Sequence, residues 1–129
     1  MEPLFVYGTL MHPPLTRRLI GRIPEMRPAR LYAYGRYRVR DQWYPGIRAE
    51  ADSQTDGRML TDLSPSEFEI LDRYESDMYE RCRVTIEQDV QFVHGYTYIV
   101  RPAFTRLLSR EAWSLDCFLA GDYGTPFFD

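Results

Sequence analysis

The sequence has few of the residues that indicate a metal centre or a disulfide-stabilised domain. Its two cysteines, Cys82 and Cys117, are too few for a disulfide framework, and neither belongs to a Cys-x-x-Cys pair. Its two histidines, His12 and His94, have no carboxylate or cysteine at metal-ligand spacing. We therefore expect reduced, structural cysteines, solvated or core histidines, and no metal site.

Positive charge and long apolar runs are also scarce. The formal net charge is −3 and the pI is about 5.4, whereas nucleic acids and anionic membranes are recognised by clustered positive charge. No stretch approaches the roughly 20 apolar residues of a membrane span, and residues 1–20 lack the pattern of a secretory signal. We expect no nucleic-acid partner, no membrane partner and a cytoplasmic location.

Three common catalytic motifs are absent: the phosphate-loop lysine motif, the dinucleotide-binding glycine pattern and the Gly-x-Ser-x-Gly nucleophile elbow. The sequence therefore indicates no nucleotide or redox cofactor. What is present suits a folded protein, because 44% hydrophobic residues within 129 residues are enough for one buried core. We expect residues 1–129 to form a single domain.

Short apolar runs broken by glycine and proline predict an α+β domain. We expect a mixed or antiparallel, barrel-like sheet of about five to seven strands with two or three helices. The alternation from Cys82 to Ile86 and the extended run 92–100 predict an antiparallel hairpin. Ser109 is a candidate cap for a last helix through Phe118. The other predicted elements are strands over 3–7, 31–34, 37–40, 44–47 and 57–60, with a break at Gly35, and a helix over 15–20.

The segment Ser64-Pro65-Ser66-Glu67 predicts the start of a helix, with a serine cap, a proline at the first helical position and a glutamate that reaches back to the cap. At about 100° per residue, Glu75 falls on the same arc as Phe68 and Leu71, which aims its carboxylate at the core. A carboxylate in an apolar pocket has a raised pKa and can act as a general base near neutral pH.

A structural role for Glu75 is the alternative. The helix would then end at Tyr74, and the carboxylate would lie in a turn and pair with Arg81 or Arg83. The sequence alone leaves both interpretations of Glu75 open.

The tetrapeptide Tyr7-Gly8-Thr9-Leu10 follows a predicted buried strand. Glycine lets a ligand approach the main chain closely, and the amides of Gly8, Thr9 and Leu10 are candidate donors to a carboxylate or a carbonyl oxygen. A simple turn at the end of the strand is the alternative. We call residues 7–11 the glycine loop.

Two segments of the sequence together carry a family resemblance. The run Leu4 to Met11 (LFVYGTLM) resembles the opening signature of gamma-glutamylcyclotransferase-like proteins, and Leu71 to Glu75 (LDRYE), with Tyr79-Glu80-Arg81, resembles their second signature. Weaker similar blocks occur at residues 44–47, 56–60 and 96–98. The resemblance covers residues 4–101.

The resemblance implies a compact, barrel-like α+β fold and an enzyme that converts a γ-glutamyl compound to 5-oxoproline. It implies that Glu75 is the catalytic base and that the glycine loop, Tyr7, Gly8, Thr9, Leu10 and Met11, binds the γ-glutamyl group. Tyr98 is a further candidate for a hydroxyl in the pocket. Met11 stands where some members that act on γ-glutamylamines have a lysine, and residues 105–129 have no specific match.

Two hypotheses from different classes follow. The protein is a cyclotransferase acting on a γ-glutamyl peptide or amine, or it is a binding module that uses the same pocket without turnover. The expected partner of the enzyme is a small γ-glutamyl molecule, whereas the binding module would sense γ-glutamyl or other amino-acid-like ligands or serve a partner protein. The sequence does not distinguish a monomer from a homodimer, and it does not identify the amino acid or amine that leaves.

Overall fold

The computed structural model describes residues 2–124, which form six strands and three α-helices. The strands and helices alternate irregularly along the chain. In order they are β1 (Leu4–Val6), α1 (Pro13–Ile20), β2 (Met26–Val39), β3 (Pro45–Leu60), α2 (Pro65–Glu75), β4 (Tyr79–Gln88), β5 (Gln91–Val100), β6 (Leu108–Ala112) and α3 (Leu115–Leu119), with 3-10 turns at Thr9–Met11 and Pro102–Leu107.

The sheet closes on itself. Its order is β3-β1-β5-β4-β2-β6, and the additional pairing of β2 with β3 joins the two sides into a ring of five strands, with β6 outside it. All pairings among the described strands are antiparallel except that of β1 with β5. The predicted α+β class, the barrel-like sheet and the numbers of strands and helices are confirmed.

The strands β2 and β3 are longer and more continuous than the sequence indicated. Gly35 lies inside β2, paired with Arg48, so the predicted break there is wrong. A Cβ at Gly35 would overlap the side chains of Tyr37 and Glu50, so glycine serves cross-strand packing at this position. The irregularity in the ladder falls instead at Ala33, whose φ is 68°.

The predicted hairpin is confirmed. Cys82 pairs with Thr97 and Ile86 with Val93 in an antiparallel register that runs the length of β4 and β5. The connecting residues Asp89 and Val90 both have positive φ, as a two-residue hairpin turn requires. This hairpin forms one wall of the barrel.

Helix α2 begins as predicted. The Ser64 hydroxyl accepts a hydrogen bond from the amide of Glu67, and the Glu67 carboxylate accepts one from the amide of Ser64. Arg22 also donates to Glu67 at 2.7 Å, which ties the start of α2 to the end of α1. None of the helices within residues 2–124 is long and apolar enough to cross a membrane.

The predicted cap at Ser109 is wrong. Residues 108–112 form β6, which pairs Leu108 with Val39 of β2, and the Ser109 hydroxyl donates to the carbonyl oxygen of Arg38. The last helix begins five residues later, where the Ser114 hydroxyl accepts a hydrogen bond from the amide of Cys117. Both serines are good caps by residue type, and pairing with the edge of β2 decides between them.

Gly57 allows β1 to pack closely against β3. A Cβ at this position would overlap the carbonyl oxygen of Val6 and the ring of the fully buried Phe5. We expect Gly57→Ala to lower the free energy of unfolding by about 2–4 kcal/mol, because neither neighbour can move without disturbing the core. Urea denaturation would measure this change, with Gln54→Ala at an exposed site on the same strand as the control. A loss below about 0.5 kcal/mol would contradict the prediction.

Candidate active site

A cavity of about 250 Å³ opens where β1, the glycine loop and the end of α2 meet. Its floor includes the buried side chains of Phe5, Val6 and Leu10. Five of the ten tyrosines of the chain line it, namely Tyr7, Tyr44, Tyr74, Tyr79 and Tyr98. Half of the tyrosines in the sequence therefore form a half-polar wall around a pocket.

Glu75 is the last residue of α2 and lines this cavity. The helix continues through Glu75 and stops at Ser76, whose φ is 71°. No hydrogen bond or ion pair reaches the Glu75 carboxylate from any residue within 2–124. The alternative interpretation, in which Glu75 lies in a turn and pairs with Arg81 or Arg83, is wrong, because Arg81 binds Asp72 and Arg83 binds Glu2.

The pKa of Glu75 is raised from its ordinary value of 4.5 to about 8. The main cause is desolvation by the protein atoms that surround the carboxylate. The negative charge of Asp72, one helical turn earlier, is a smaller cause in the same direction. A carboxylate with a pKa near 8 can both accept and return a proton at neutral pH.

Four of the five tyrosine hydroxyls around the cavity are already engaged by protein acceptors or partners. Tyr7 donates to the carbonyl oxygen of Tyr98 at 2.6 Å, and Tyr79 donates to that of Pro45 at 2.7 Å. The hydroxyls of Tyr74 and Thr9 share a hydrogen bond at 2.9 Å. These contacts fix the walls and leave the Glu75 carboxylate as the unpaired carboxylate facing the cavity among the described residues.

Tyr98 takes part in a cluster beside the cavity. Its hydroxyl donates to Asp72 at 2.7 Å, and Arg81 binds the same carboxylate through two nitrogens at 3.0 and 3.3 Å. The Arg81 guanidinium also lies over the rings of Phe68 and Tyr96. The cluster holds Asp72 close enough to influence the pKa of Glu75 without touching it.

Removing the charge of Asp72 tests this electrostatic link. We expect Asp72→Asn to lower the pKa of Glu75 by up to about one unit, because the repulsion that disfavours the ionised form is lost. The titration of the Glu75 carboxyl carbon, followed by nuclear magnetic resonance, would measure the change. Asp77→Asn, an exposed neighbour, serves as the control. An unchanged or raised pKa in Asp72→Asn would contradict the prediction.

The glycine loop leaves β1 and turns at once into the 3-10 turn Thr9–Met11, closed by a hydrogen bond from the Met11 amide to the Gly8 carbonyl. The amides at the start of such a turn have no partner within it. Gly8 has a negative φ, so a left-handed backbone is not the reason for glycine at this position. The reason is space, because a Cβ here would lie 2.9 Å from the side chain of Pro45.

Most of the residues predicted for the site lie together. Glu75, Tyr98 and the loop residues Tyr7, Gly8, Thr9 and Leu10 all line the cavity. Met11 does not: its side chain packs in the core, and its carbonyl oxygen accepts a hydrogen bond from Arg58. Residues of the wall that the sequence analysis did not single out include Trp43, Tyr44, Tyr74, Met78 and Tyr79.

Within residues 2–124, no group of three or more histidine, cysteine, aspartate or glutamate side chains lies close enough to hold a metal ion. Both cysteines are free thiols and half-buried. Among the residues that line the cavity, the Glu75 carboxylate can transfer a proton, and main-chain amides and hydroxyls can form hydrogen bonds.

The small closed barrel thus holds an unpaired, weakly acidic carboxylate in a tyrosine-walled cavity, an arrangement that can support acid–base chemistry. The chain belongs to the family described as "Gamma-glutamyl cyclotransferase, AIG2-like", whose model matches residues 4–121. The match extends past the sequence resemblance at 4–101 and takes in β6 and α3.

Relatives in sequence come from plants and archaea. The chain is 33% identical over 86 residues to AIG2-like protein D of Arabidopsis thaliana, covering 67% of this chain and 57% of that protein. It is 36% identical over 99 residues to a Methanocaldococcus jannaschii protein described as a gamma-glutamylcyclotransferase and putative RNase, covering 74% of this chain and 45% of that protein. The chain thus spans about half the length of the curated relatives it matches.

Solved structures share the fold. A solution structure of an Arabidopsis thaliana protein superposes with a TM-score of 0.75 at 25% identity, over 95% of this chain and 83% of that one. A structure described as a gamma-glutamyl cyclotransferase gives a TM-score of 0.67 at 15% identity, over 98% and 82% of the two chains. The architecture of this chain is that of the family.

Proposed function

We propose that the protein is a cyclotransferase that converts a γ-glutamyl peptide or γ-glutamylamine to 5-oxoproline and releases the amino acid or amine, with Glu75 as general base. The observation that carries this proposal is the unpaired Glu75 carboxylate, with its pKa near 8, in a cavity whose wall also includes the glycine loop. Family membership and the described activity of the archaeal relative support it.

The reaction needs a base because the α-amino group of a γ-glutamyl compound is mostly protonated near neutral pH and cannot attack a carbonyl. Glu75 takes one proton from the ammonium group. The freed nitrogen attacks the γ-carbonyl carbon of the same molecule, which closes a five-membered ring and places negative charge on the carbonyl oxygen. Because nucleophile and carbonyl belong to one molecule, the protein mainly has to fold the substrate and stabilise that charge.

The second half of the reaction returns the proton. As the tetrahedral intermediate collapses, the bond between the γ-carbon and the leaving nitrogen breaks, and the protonated Glu75 donates to that nitrogen. The ring nitrogen also loses its second proton, which the released amine takes up, so the lactam nitrogen keeps one hydrogen. No water is consumed, and Glu75 is ionised again at the end. A pKa near 8 suits both roles, since the proton is neither held too weakly nor too strongly at neutral pH.

The glycine loop is proposed to hold the glutamyl end. The amides of Gly8, Thr9 and Leu10 are candidate donors to the α-carboxylate or to the developing oxyanion. Tyr7 and Tyr98 shape this end of the cavity, and the hydrogen bond between them keeps the strand β1 beside β5. Met11 supports the loop from the core and does not contact the substrate in this proposal.

A binding module that uses the same pocket is the second candidate. A binder of an α-ammonium group gains most from a carboxylate that is always ionised, whereas burial makes Glu75 resist ionisation. The raised pKa therefore favours turnover over simple binding.

Release of 5-oxoproline from a substrate panel tests the proposal. The panel contains γ-glutamyl dipeptides, γ-glutamylamines and glutathione, together with the N-acetyl form of each as a matched control. Acetylation removes the nucleophile and leaves the rest of the molecule unchanged, so it should abolish product formation. Absence of 5-oxoproline from every free-amine compound, with binding detected by calorimetry, would favour the binding module.

A further inference from the structure

We propose that Arg36 is a positioning residue for the reaction, because it holds the carbonyl group of Tyr7 from outside the cavity and so directs the amide of Gly8 into it. The proposal rests on the proposed cyclotransferase function. It adds to that function a residue on β2 that neither lines the cavity nor belongs to the glycine loop.

Arg36 is a half-buried cation with an unusual set of partners. No carboxylate within residues 2–124 forms an ion pair with it, and the nearby carboxylate of Asp56 is bound by Arg30 at 2.7 Å. The guanidinium instead donates to the carbonyl oxygen of Tyr7 at 2.8 Å and to that of Asp56 at 3.0 Å. Burying a charge without an ion pair is costly, and hydrogen bonds from the charged donor offset that cost. These two carbonyl groups therefore account for an arginine at this position.

The Tyr7 carbonyl lies where β1 separates from β3. The register between these strands ends at the pair Val6–Arg58, after which the chain enters the glycine loop. Beyond that pair, one nitrogen of Arg36 binds a carbonyl oxygen on each side, that of Tyr7 after β1 and that of Asp56 within β3. Arg36 thus fixes the first peptide group of the loop beyond the end of the strand pairing.

A fixed carbonyl group also fixes the amide of the same peptide group. The peptide bonds within residues 2–124 are all trans, and in a planar trans peptide the C=O and N–H bonds point in opposite directions. Because the Tyr7 carbonyl points to Arg36, the Gly8 amide points away from Arg36. Gly8 lines the cavity and Arg36 does not, so the amide is directed toward the cavity. It donates to no acceptor among the described residues, which leaves it for an oxygen of the substrate.

Trp113 holds the Arg36 side chain in place. The guanidinium carbon lies 5.6 Å from the centre of the Trp113 ring, and Trp113 is a buried residue that follows β6. The indole nitrogen of Trp113 donates to the carbonyl oxygen of Trp43, a residue of the cavity wall, at 2.9 Å. A guanidinium over an aromatic face is restrained in orientation. The segment from β6 to α3 thus supports the site without lining the cavity.

Replacing Arg36 by methionine tests the inference. Methionine keeps an unbranched side chain against Trp113 but cannot donate to the Tyr7 carbonyl, so the Gly8 amide loses its fixed direction. We expect kcat/KM for 5-oxoproline release from the best substrate of the panel to fall about 10- to 100-fold. A preorganised amide donor contributes about 10²- to 10³-fold, and an amide that is free to turn is still aligned part of the time.

The matched control is Arg27→Met at an exposed position of the same strand, which should keep kcat/KM within about twofold of the wild-type value. A fall of less than about threefold in folded Arg36→Met would overturn the inference and leave the cyclotransferase function standing. No turnover by the wild type on any compound of the panel would reject both.

The nuclear magnetic resonance signal of the Gly8 amide separates positioning from a purely structural role. When 5-oxoproline is added to the wild type, the Gly8 amide proton should shift downfield, because the amide gains an acceptor. In Arg36→Met we expect this shift to be lost. A residue that only stabilised the fold would leave the shift unchanged in the folded variant. That result, or a Gly8 amide that does not respond in the wild type, would contradict the inference.

Arg36→Lys takes the place of Arg36→Met if the methionine variant does not fold. Lysine keeps the charge but replaces the planar guanidinium by an ammonium group, which does not hold both carbonyl oxygens while it lies over Trp113. We expect kcat/KM to fall at least about fivefold in this variant, and a fall below about twofold would count against the inference.

Discussion

Replacing Glu75 by glutamine is expected to lower kcat for 5-oxoproline release by about 10³-fold or more. Glutamine keeps the shape of the side chain but cannot accept the proton of the α-ammonium group, and a positioned general base contributes about 10²- to 10⁴-fold. Because no other described residue of the cavity wall carries a carboxylate or an imidazole, no neighbour can take over the role near neutral pH. KM should change much less than kcat, since the same group returns the proton in the second step.

The matched control is Glu69→Gln, which makes the same substitution on the exposed side of the same helix. It should leave kcat within about twofold of the wild-type value. If Glu75→Gln folds normally and keeps turnover within about tenfold, Glu75 is not the base. If neither wild type nor variant turns over any substrate while both bind ligand, the binding module is the better description of the protein.

Structural features that depend on residues close together in the sequence could be predicted from the sequence. The capping box at Ser64 and Glu67 predicts the start of α2, and helical periodicity from that start predicts the inward direction of Glu75. Both depend on residues within about ten positions of each other. The hairpin of β4 and β5 is predicted for the same reason, because its strands are adjacent in sequence.

Features decided by distant contacts are not predicted in this way. Ser109 and Ser114 are equally good caps, and only the pairing of Leu108 with Val39 makes the first of them part of a strand. Met11 follows the loop directly in sequence, yet the 3-10 turn directs its side chain into the core. Propensity and spacing contain no information about either contact.

The tyrosine wall shows the same limit within the site. Tyr7 and Tyr98 are joined by a hydrogen bond across 91 positions of sequence, and Thr9 and Tyr74 by one across 65. The abundance of tyrosine indicates that a half-polar pocket is possible, but it does not indicate which tyrosines form it. The closure of the barrel brings them together.

The same Glu75→Gln substitution is expected to stabilise the folded protein above about pH 5. Glu75 has a pKa of about 8 in the folded state against an ordinary value of 4.5. The folded state therefore binds this proton more tightly than the unfolded state does, so the contribution of Glu75 to stability is fully present below pH 4.5 and is lost as the pH rises through 8. Glutamine does not ionise, so the variant does not lose stability in this way as the pH rises.

The difference in unfolding free energy between Glu75→Gln and wild type should be near zero at pH 4.5 and increase to about 1–3 kcal/mol at pH 8, then level off. The full shift would give a larger value, but the partial access of the carboxylate to solvent through the cavity reduces it. Urea denaturation at several pH values measures the difference, with Glu69→Gln expected to follow the wild type throughout. A difference that is independent of pH, or a variant less stable at pH 8, would mean that the ionised carboxylate is well solvated or paired in solution.

Stabilisation together with loss of turnover would instead indicate that Glu75 is kept for chemistry at a cost in stability. A residue that served the fold would show the opposite sign, because its replacement would lower the free energy of unfolding.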